Sequence, residues 1–484
     1  MLDRAFTSAL ARVVPPTALL TAVEDTRPYE CDGLTLYREL PGAVLLPDNE
    51  AQVVDILRLC HAARVPVVAR GAGTSLSGGA LPIAQGVVLS LAKFCRILAI
   101  DPLARTAIVQ PGVRNLAISE AAAAHGLFYA PDPSSQIACS IGGNVAENAG
   151  GVHCLKYGLT VHNVRRVRAV LITGEIVEFG ADALDAPGYD LLALITGSEG
   201  LLGIITEITV KLLPKPQLAQ VALAAFDDLE QAGAAVGAVI GAGIIPGGLE
   251  MMDREATRAV EQFVHADYPL DAAAVLLVEA DGTPLEVAAE MAEIIDVLKA
   301  SGATEVRVSE NEAERLLYWS GRKAAFPAVG RISPDYYCID GTIPRGALPR
   351  VLKQIEAWSV EYALPCANVF HAGDGNLHPL ILFDANLEGE IERTIAFGDR
   401  ILALCIEVGG TVTGEHGVGV EKLNAMCHQF KPDELERFRG IKAAYDPAGL
   451  LNPGKSVPTL SRCAEGGRMH VHHGELRHPE LPRF

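Results

Sequence analysis

The sequence predicts an α+β fold divided between more than one domain, and three observations lead to this prediction. The chain has 484 residues, which is more than a single hydrophobic core normally accommodates. Its first part alternates apolar, strand-like runs with amphipathic helices. Beyond a proline-rich stretch the rhythm becomes strand, helix, strand, which is typical of an antiparallel sheet covered by helices.

The first predicted domain spans residues 1–216. A helix with apolar residues at 53, 54, 57 and 60 lies between two β-branched runs, in residues 43–71. Residues 86–101 and 106–113 resemble strands, and 164–180 resemble a hairpin that turns at Thr173 and Gly174. The sequence "PKPQ" at 214–217 marks the boundary.

The second predicted domain spans 217–425 and contains two strand–helix–strand units, 272–310 and 336–373. The helix of the first unit presents Val287, Met291, Ile294 and Leu298 on one face. The Ala/Gly-rich stretch 232–248 is too short and too weakly apolar for a membrane span, so we expect a helix packed closely on the sheet. Residues 426–484 form a C-terminal segment with a non-periodic tail.

Composition excludes several function classes. A net charge of −19 argues against nucleic acid and anionic membrane surfaces, since both are bound through excess Lys and Arg. The ten cysteines are scattered, which indicates reduced thiols rather than a disulfide framework and argues against an iron–sulfur cluster on this chain. The amino terminus lacks the features of a signal peptide, so we expect a cytoplasmic protein.

Three loops rich in glycine and serine lie within the first domain, at 67–81, 131–158 and 196–206. Glycines allow backbone N–H groups to approach an anion closely, and hydroxyls add donors. The chain contains neither GxxxxGK[ST] nor a GxGxxG that opens a helix. The loops therefore predict a cofactor site outside the usual nucleotide-binding motifs.

On these loops the chain resembles the FAD-binding oxidoreductases of the vanillyl-alcohol oxidase/p-cresol methylhydroxylase type. "RGAGTSLSGG" is similar to the pyrophosphate loop of that family, "SIGGNVAENAGG" and "GSEGLLGIIT" to other flavin-contacting segments, and "LLNPGK" to a segment that returns to the flavin. The resemblance covers nearly the whole chain. It implies a two-subdomain FAD-binding domain followed by an α+β substrate domain, or cap.

Within that family, "GRKAAFPAVGRISPDYYCIDGTIPR" and "RMHVHHG" resemble FAD-linked glycolate oxidase subunits more than D-lactate or D-2-hydroxyglutarate dehydrogenases. The resemblance implies non-covalent FAD, because the first loop has no histidine for a covalent link. The residues that it implies for FAD fall in all three loops and the returning segment: Arg70, Gly71, Gly73, Thr74, Ser75 and Gly78 for the pyrophosphate; Pro131, Ser134, Gly142, Gly143, Asn144, Asn148 and Gly151 for the ring and ribityl chain; Glu199, Gly200 and Ile205 for the adenosine side; and Asn452.

A further motif, "HAGDGNLHP", places His371 and His378 on a glycine-rich stretch that we expect to lie outside regular structure. Glu415 follows in a second glycine turn, "GEHG". The spacing leaves two interpretations open, a polar turn or a site with two histidines, one carboxylate and open positions. The family resemblance implies the metal site, for a divalent ion, with zinc favoured over manganese or iron.

The resemblance also implies the chemistry, which is oxidation of a small 2-hydroxy acid, glycolate to glyoxylate and also D-lactate to pyruvate. Flavin N5 would accept the hydride and the metal would lower the pKa of the hydroxyl group. His416 would be the general base. Arg322, favoured over Lys323, would bind the carboxylate. Leu380 stands where relatives with longer substrates have asparagine, which favours a small substrate.

Electrons must leave the chain, because the sequence shows neither a cluster motif nor a haem attachment motif. The resemblance implies an iron–sulfur partner subunit, allows a second flavin-type subunit, and allows contact with the inner membrane only through such partners. Cys463, His470, His472 and His473 would form a docking segment or a second metal site. Two alternatives stay open: a D-lactate dehydrogenase that acts on quinone or cytochrome without partners, and a non-catalytic flavin-carrying scaffold.

Overall fold

The structure, a computed structural model, describes residues 2–183 and 188–458. The predictions for Cys463, His470, His472 and His473 therefore lie outside the described residues. The described helices are α1 (Arg4–Leu10), α2 (Val23–Thr26), α3 (Glu50–Ala63), α4 (Asn115–Ala122), α5 (Ile141–Glu147), α6 (Cys154–Tyr157), α7 (Thr160–Asn163), α8 (Leu191–Ile195), α9 (Leu229–Gly241), α10 (Arg254–Val264), α11 (Pro284–Ala300), α12 (Glu312–Lys323), α13 (Ala325–Val329), α14 (Leu348–Tyr362), α15 (Glu390–Glu407), α16 (Leu423–Gln429) and α17 (Pro432–Tyr445).

A small, mostly parallel sheet opens the chain. Its strands, in spatial order, are β1 (Leu19–Leu20), β2 (Ala43–Leu45), β4 (Val87–Ser90) and β3 (Val67–Arg70). Helix α3 begins at the cap Asn49, whose side chain accepts the N–H of Gln52, and buries Val53, Val54, Leu57 and Cys60 as the periodicity predicts. Strand β3 ends at Arg70, so the first glycine-rich loop leaves the sheet at its carboxyl edge.

A second, antiparallel sheet completes the first half of the molecule. Its spatial order is β5 (Ile97–Asp101), β6 (Thr106–Val109), β10 (Ile204–Lys211), β8 (Val164–Val170) and β9 (Ile176–Gly180). The predicted hairpin is confirmed, because β8 and β9 pair antiparallel. The short strands β7 (Leu127–Phe128) and β11 (Leu213–Pro214) also pair with each other. Two sheets in this half agree with the predicted two-subdomain arrangement.

The second half is built on an eight-stranded antiparallel sheet. Its spatial order is β15 (Glu305–Val308), β12 (Leu218–Phe226), β14 (Ala274–Gly282), β13 (Gly248–Asp253), β18 (Cys366–His371), β19 (Asn376–Phe383) and β16 (Asp335–Cys338), with β17 (Gly341–Thr342) beside β19. Helices α9, α11, α14 and α15 pack into the hydrophobic core on one face of this sheet, and α10, α12 and α13 into the core on the other. The α+β prediction is confirmed.

Residues after the sheet connect the two halves. The predicted boundary between the second domain and the C-terminal segment, between residues 425 and 426, falls inside α16. Leu451 bridges Val67 of β3, so the chain returns to the first sheet. None of the described helices combines the length and the apolar character that crossing a bilayer requires.

Candidate active site

A cavity of about 680 Å³ lies between the two halves. The three glycine-rich loops wall one side of it, and residues from α12, α13, β16, β19 and the "GEHG" turn wall the other. Predicted site residues on its wall are Arg70, Gly71, Gly73, Thr74, Ser75, Ser134, Gly142, Gly143, Asn144, Glu199, Gly200, Ile205, His378, Glu415 and His416. The fold thus brings segments more than 300 residues apart in sequence into one site.

The first loop has the properties of an anion-binding backbone. Gly73 adopts a φ of +73°, which favours glycine. The backbone N–H groups of Gly73, Thr74 and Ser75 donate to no acceptor among the described residues. Successive free N–H groups beside a cavity fit a phosphate group.

The second loop leaves room for a large ligand. Among the described residues, and apart from the backbone of its own helix, a Cβ on Gly143 would meet only Ser140 Oγ within 4 Å, at 3.4 Å. A Cβ on Gly150 would instead lie 2.8 Å from Glu415 Oε2, so this loop approaches the "GEHG" turn closely. The open space at Gly143 and the free N–H groups of the first loop together fit FAD.

Five residues predicted for FAD lie outside the cavity wall: Gly78, Pro131, Asn148, Gly151 and Asn452. Asn452 is buried, and its Nδ2 donates to the carbonyl oxygens of Gly79, at 3.0 Å, and Glu199, at 2.7 Å. Asn148 accepts the N–H of Val161 at 2.9 Å. Asn452 thus ties the first and third loops together from outside the cavity, and Asn148 joins the second loop to α7.

The motif that contains His371 and His378 is a tight hairpin. His371 is the last residue of β18, and His378 lies inside β19. The expectation that this stretch lies outside regular structure is therefore wrong for both histidines. The register pairs His371 with Asn376, and residues two apart on a strand share a face. Pairing thus places both imidazoles on the same face, with ring centroids 5.0 Å apart.

Glu415 completes this group. Its Oε1 lies 3.4 Å from Nε2 of His371 and 3.0 Å from Nε2 of His378. Burial alone would raise the pKa of Glu415, but hydrogen bonds from the two histidines hold it well below its usual range. Its Oε2 is buried without a hydrogen-bond partner in the described part of the chain. Two convergent imidazole nitrogens and a carboxylate with a free oxygen fit a divalent metal ion.

Sequence reasoning missed Glu250, on β13. Its Oε1 lies 2.8 Å from Nδ1 of His371, which directs Nε2 of that histidine towards Glu415. Its Oε2 lies 2.7 Å from Nε of Arg322, an ion pair without hydrogen-bond alignment. The sequence contained one signal for Glu250, which is an acid in the middle of the apolar stretch 248–253. A carboxylate that such a strand buries needs a charged partner.

The two candidate cations of α12 are placed differently. Arg322 has a side chain only 1% exposed and lies outside the cavity wall. Its Nη1 and Nη2 have no hydrogen-bond partner among residues 2–183 and 188–458. Lys323 lies on the cavity wall, with Nζ 3.6 Å from Asp132. Arg322 is therefore buried inside the protein and does not lie on a solvated face of α12.

A second missed acid, Asp340, holds the turn that carries His416. Its carboxylate accepts the backbone N–H groups of Gly414, Glu415 and His416, at 3.1, 3.2 and 2.9 Å, and lies 3.0 Å from Nζ of Lys422. Burial lowers the pKa of His416 to about 4, against the opposing charge of Asp340. Burial therefore favours the neutral imidazole, which is the form that a general base requires.

The apolar wall of the cavity also differs from prediction. Leu380 is fully buried in the core of the sheet and lies outside the cavity wall. Phe326, Pro327 and Tyr336 line the cavity instead, and the rings of Phe326 and Tyr336 meet edge to face, 5.8 Å apart. Phe326, Pro327 and Tyr336 thus form part of the cavity wall that also contains His378 and His416, and Leu380 does not.

Comparison with protein families gives two matches on this chain. Residues 41–180 match the FAD binding domain family. Residues 215–456 match the family described as FAD linked oxidases, C-terminal domain. The first two glycine-rich loops fall within the first match, and α12, α13, β16, β19 and the "GEHG" turn within the second, whereas the third loop, 196–206, lies between the two matches.

The chain is 62% identical over 476 residues to the glycolate oxidase subunit GlcD of Escherichia coli K12, covering 98% of this chain and 95% of the relative. Identity is 40% to GlcD of Bacillus subtilis, covering 88% and 91%, and 33% to a D-lactate dehydrogenase of Anaerostipes hadrus, covering 91% and 95%. The solved structure of p-cresol methylhydroxylase with bound substrate shares the fold, with a TM-score of 0.80, 18% identity, and coverage of 94% and 97%.

Proposed function

The chain belongs to the FAD-linked oxidases, and from this premise we propose that it oxidises small 2-hydroxy acids, glycolate and D-lactate, to the corresponding 2-oxo acids. One observation carries the proposal: His378, Glu415 and His416 share a cavity with the glycine-rich loops. A neutral base and a metal-type donor set beside a flavin site suit the removal of a proton and a hydride from a hydroxy acid. The names of the relatives support the same substrate class.

The residues proposed to hold FAD are those of the three loops on the cavity wall, with the N–H groups of Gly73, Thr74 and Ser75 facing the pyrophosphate. Bound FAD supplies the hydride acceptor. Gly143 leaves the space that the ring system needs, and Asn452 keeps the loops in register. The first loop offers no histidine for a covalent link, so we expect FAD to be released when the protein is denatured.

His371, His378 and Glu415 are the proposed metal ligands. A bound divalent ion, zinc in preference to manganese or iron, supplies a Lewis acid for the hydroxyl and carboxylate oxygens of the substrate. Glu250 fixes the tautomer and direction of His371. Asp340 fixes the turn that presents Glu415 and His416.

His416 is the proposed general base, because it is neutral, lies on the cavity wall and follows the ligand Glu415 directly. Arg322 is proposed to pair with the substrate carboxylate. Two observations support this role. The buried Nη1 and Nη2 of Arg322 lack hydrogen-bond partners within the described residues. Its Nε is paired with Glu250, and the same carboxylate also contacts His371. Guanidinium groups bind carboxylates through two parallel hydrogen bonds.

Electrons from the reduced flavin are proposed to pass to an iron–sulfur subunit, with a second flavin-type subunit as a further partner. Two of the relatives are named as subunits of glycolate oxidase, which supports assembly with other chains. We propose a cytoplasmic location, with any contact with the inner membrane made through these partners.

Anaerobic mixing of the FAD-loaded chain with glycolate or D-lactate tests the proposal. We expect the yellow flavin spectrum to bleach. A spectrum that both acids leave unchanged favours a non-catalytic scaffold instead. Rapid quinone reduction by the isolated chain with D-lactate favours a D-lactate dehydrogenase that needs no partner.

A further inference from the structure

A buried ionic bridge joins the second glycine-rich loop to the eight-stranded sheet. Glu279, on β14, places Oε1 3.1 Å from Nε2 of His153. Nδ1 of the same histidine lies 2.9 Å from Oδ2 of Asp132. The side chains of Glu279, His153 and Asp132 are 2%, 21% and 12% exposed. Two carboxylates on one imidazole form a strong connection between the two halves of the molecule.

The same bridge contacts helix α12 along its length. Nη1 of Arg315 lies 2.7 Å from Oε2 of Glu279, and Nε1 of Trp319 donates to that oxygen. Nζ of Lys323 lies 3.6 Å from Oδ2 of Asp132. These three residues are spaced by four, so they lie along one face of the helix. The bridge therefore restrains both the rotation of α12 and its position along its axis.

We propose that Glu279, His153 and Asp132 position α12 so that Arg322 reaches the substrate carboxylate. This inference rests on the proposed function. None of the three residues lies on the cavity wall, so they act as positioning residues through α12. Lys323, the last residue of α12, and Phe326 and Pro327, in the adjoining α13, do line the cavity. A displacement of about 1 Å at a binding group lowers rates or affinities by up to about 100-fold.

A matched acid on the same strand separates positioning from simple stabilisation. Asp281 follows Glu279 by two residues, so both side chains point to the same face of β14. Asp281 also binds the segment after His153, through Lys156 and Tyr157. Its side chain is 4% exposed, close to the 2% of Glu279. Asp281 thus resembles Glu279 in burial and in joining the halves, but its partners are not on α12.

The test compares Glu279→Gln with Asp281→Asn on the FAD-loaded full chain. Stopped-flow bleaching at varied glycolate concentration gives a dissociation constant and a limiting reduction rate for each variant. We expect the dissociation constant to rise about tenfold in Glu279→Gln, with flavin content unchanged and the limiting rate within about twofold of wild type. Asp281→Asn should change the dissociation constant by less than about twofold while lowering the melting temperature.

Two further variants complete the test. Glu312→Gln removes the other, 64% exposed partner of Arg315 and should leave glycolate binding within about twofold of wild type. Trp319→Phe removes one hydrogen-bond donor to Glu279 but keeps an aromatic ring. This variant should weaken glycolate binding about threefold. It decides the question if Glu279→Gln does not fold. Equal dissociation constants in wild type and in Glu279→Gln, or in Trp319→Phe when that variant decides, overturn the inference. Failure of the proposed function looks different, because the wild-type flavin then stays oxidised with both glycolate and D-lactate.

Discussion

Glu250 Oε1 lies 2.8 Å from Nδ1 of His371, in a place where both side chains are almost completely buried. The other oxygen of Glu250 contacts Arg322 at 2.7 Å. One carboxylate therefore links the proposed metal site to the proposed cation for the substrate.

The first prediction follows from this link. Glu250→Gln should lower metal affinity about 10- to 100-fold, because histidine ligands depend on the partner of their second ring nitrogen. Competition with a chelator, read by elemental analysis, measures the affinity. Glu255→Gln, an exposed acid close by in the sequence, is the control and should retain wild-type affinity. Wild-type metal retention in Glu250→Gln contradicts the role of Glu250.

Removing a ligand tests the metal site directly. His371→Ala and Glu415→Ala should each lose bound metal, because the remaining two donors hold a divalent ion poorly. Metal per chain is counted after dialysis, with FAD content measured beside it. His125→Ala, which removes an exposed imidazole, should keep the wild-type ratio. Unchanged metal content in both ligand variants rejects the proposed set.

Replacement of His416 tests the base. His416→Gln should slow anaerobic flavin bleaching by glycolate about 10²- to 10⁴-fold, the usual contribution of a positioned general base. FAD content should stay at the wild-type level, because the loops proposed to bind FAD do not depend on a hydrogen bond from the His416 imidazole. A variant that bleaches at the wild-type rate assigns the proton transfer to another group.

Filling the space at Gly143 should exclude the cofactor. Gly143→Val projects two methyl groups into the cavity, where a Cβ meets only Ser140 Oγ at 3.4 Å. We expect the purified variant to be folded but colourless. Gly237→Ala is the matched control, because a Cβ there meets no atom of the described residues outside its own helix within 4 Å, and this variant should bind FAD normally. A yellow Gly143→Val protein would place the flavin ring elsewhere.

The ionic bridge predicts a pH-dependent stability. Burial lowers the pKa of His153, but Asp132 and Glu279 outweigh it and raise the pKa from 6.5 to about 10. The stability that this group contributes is therefore complete below about pH 6.5 and is lost as the pH rises towards 10. His153→Asn should cost about 3–5 kcal/mol near pH 6, as for other broken buried ion pairs. Urea unfolding at pH 6, 8 and 10 should show this cost shrinking, whereas a constant cost contradicts the assignment.

Local patterns in the sequence predicted much of the fold. Helix α11 buries Val287, Met291, Ile294 and Leu298 as its periodicity requires, and the cap Thr283 explains where it begins. The hairpin of β8 and β9 followed from alternation around a Thr-Gly turn. Such features depend on neighbours within a few residues, so they can be predicted from the sequence alone.

The partners of the site residues could not be predicted in this way. Glu250 is 121 residues from His371, and Asp340 is 76 residues from His416. The apolar residues around Glu250 indicate that it is buried, but nothing local indicates which residue is its partner, and the same holds for Asp340. Only burial in the folded chain makes a charged partner obligatory.

By itself the sequence predicted the kinds of group that the candidate site contains: loops rich in glycine and serine, two histidines, a carboxylate and a neighbouring base. The tertiary structure decided which of them meet. Strand pairing put His371 and His378 on one face of a sheet, because side chains alternate along a strand and the register selects the face. Helix geometry buried Arg322 against Glu250 and left Lys323 on the cavity wall, because consecutive helical residues point about 100° apart.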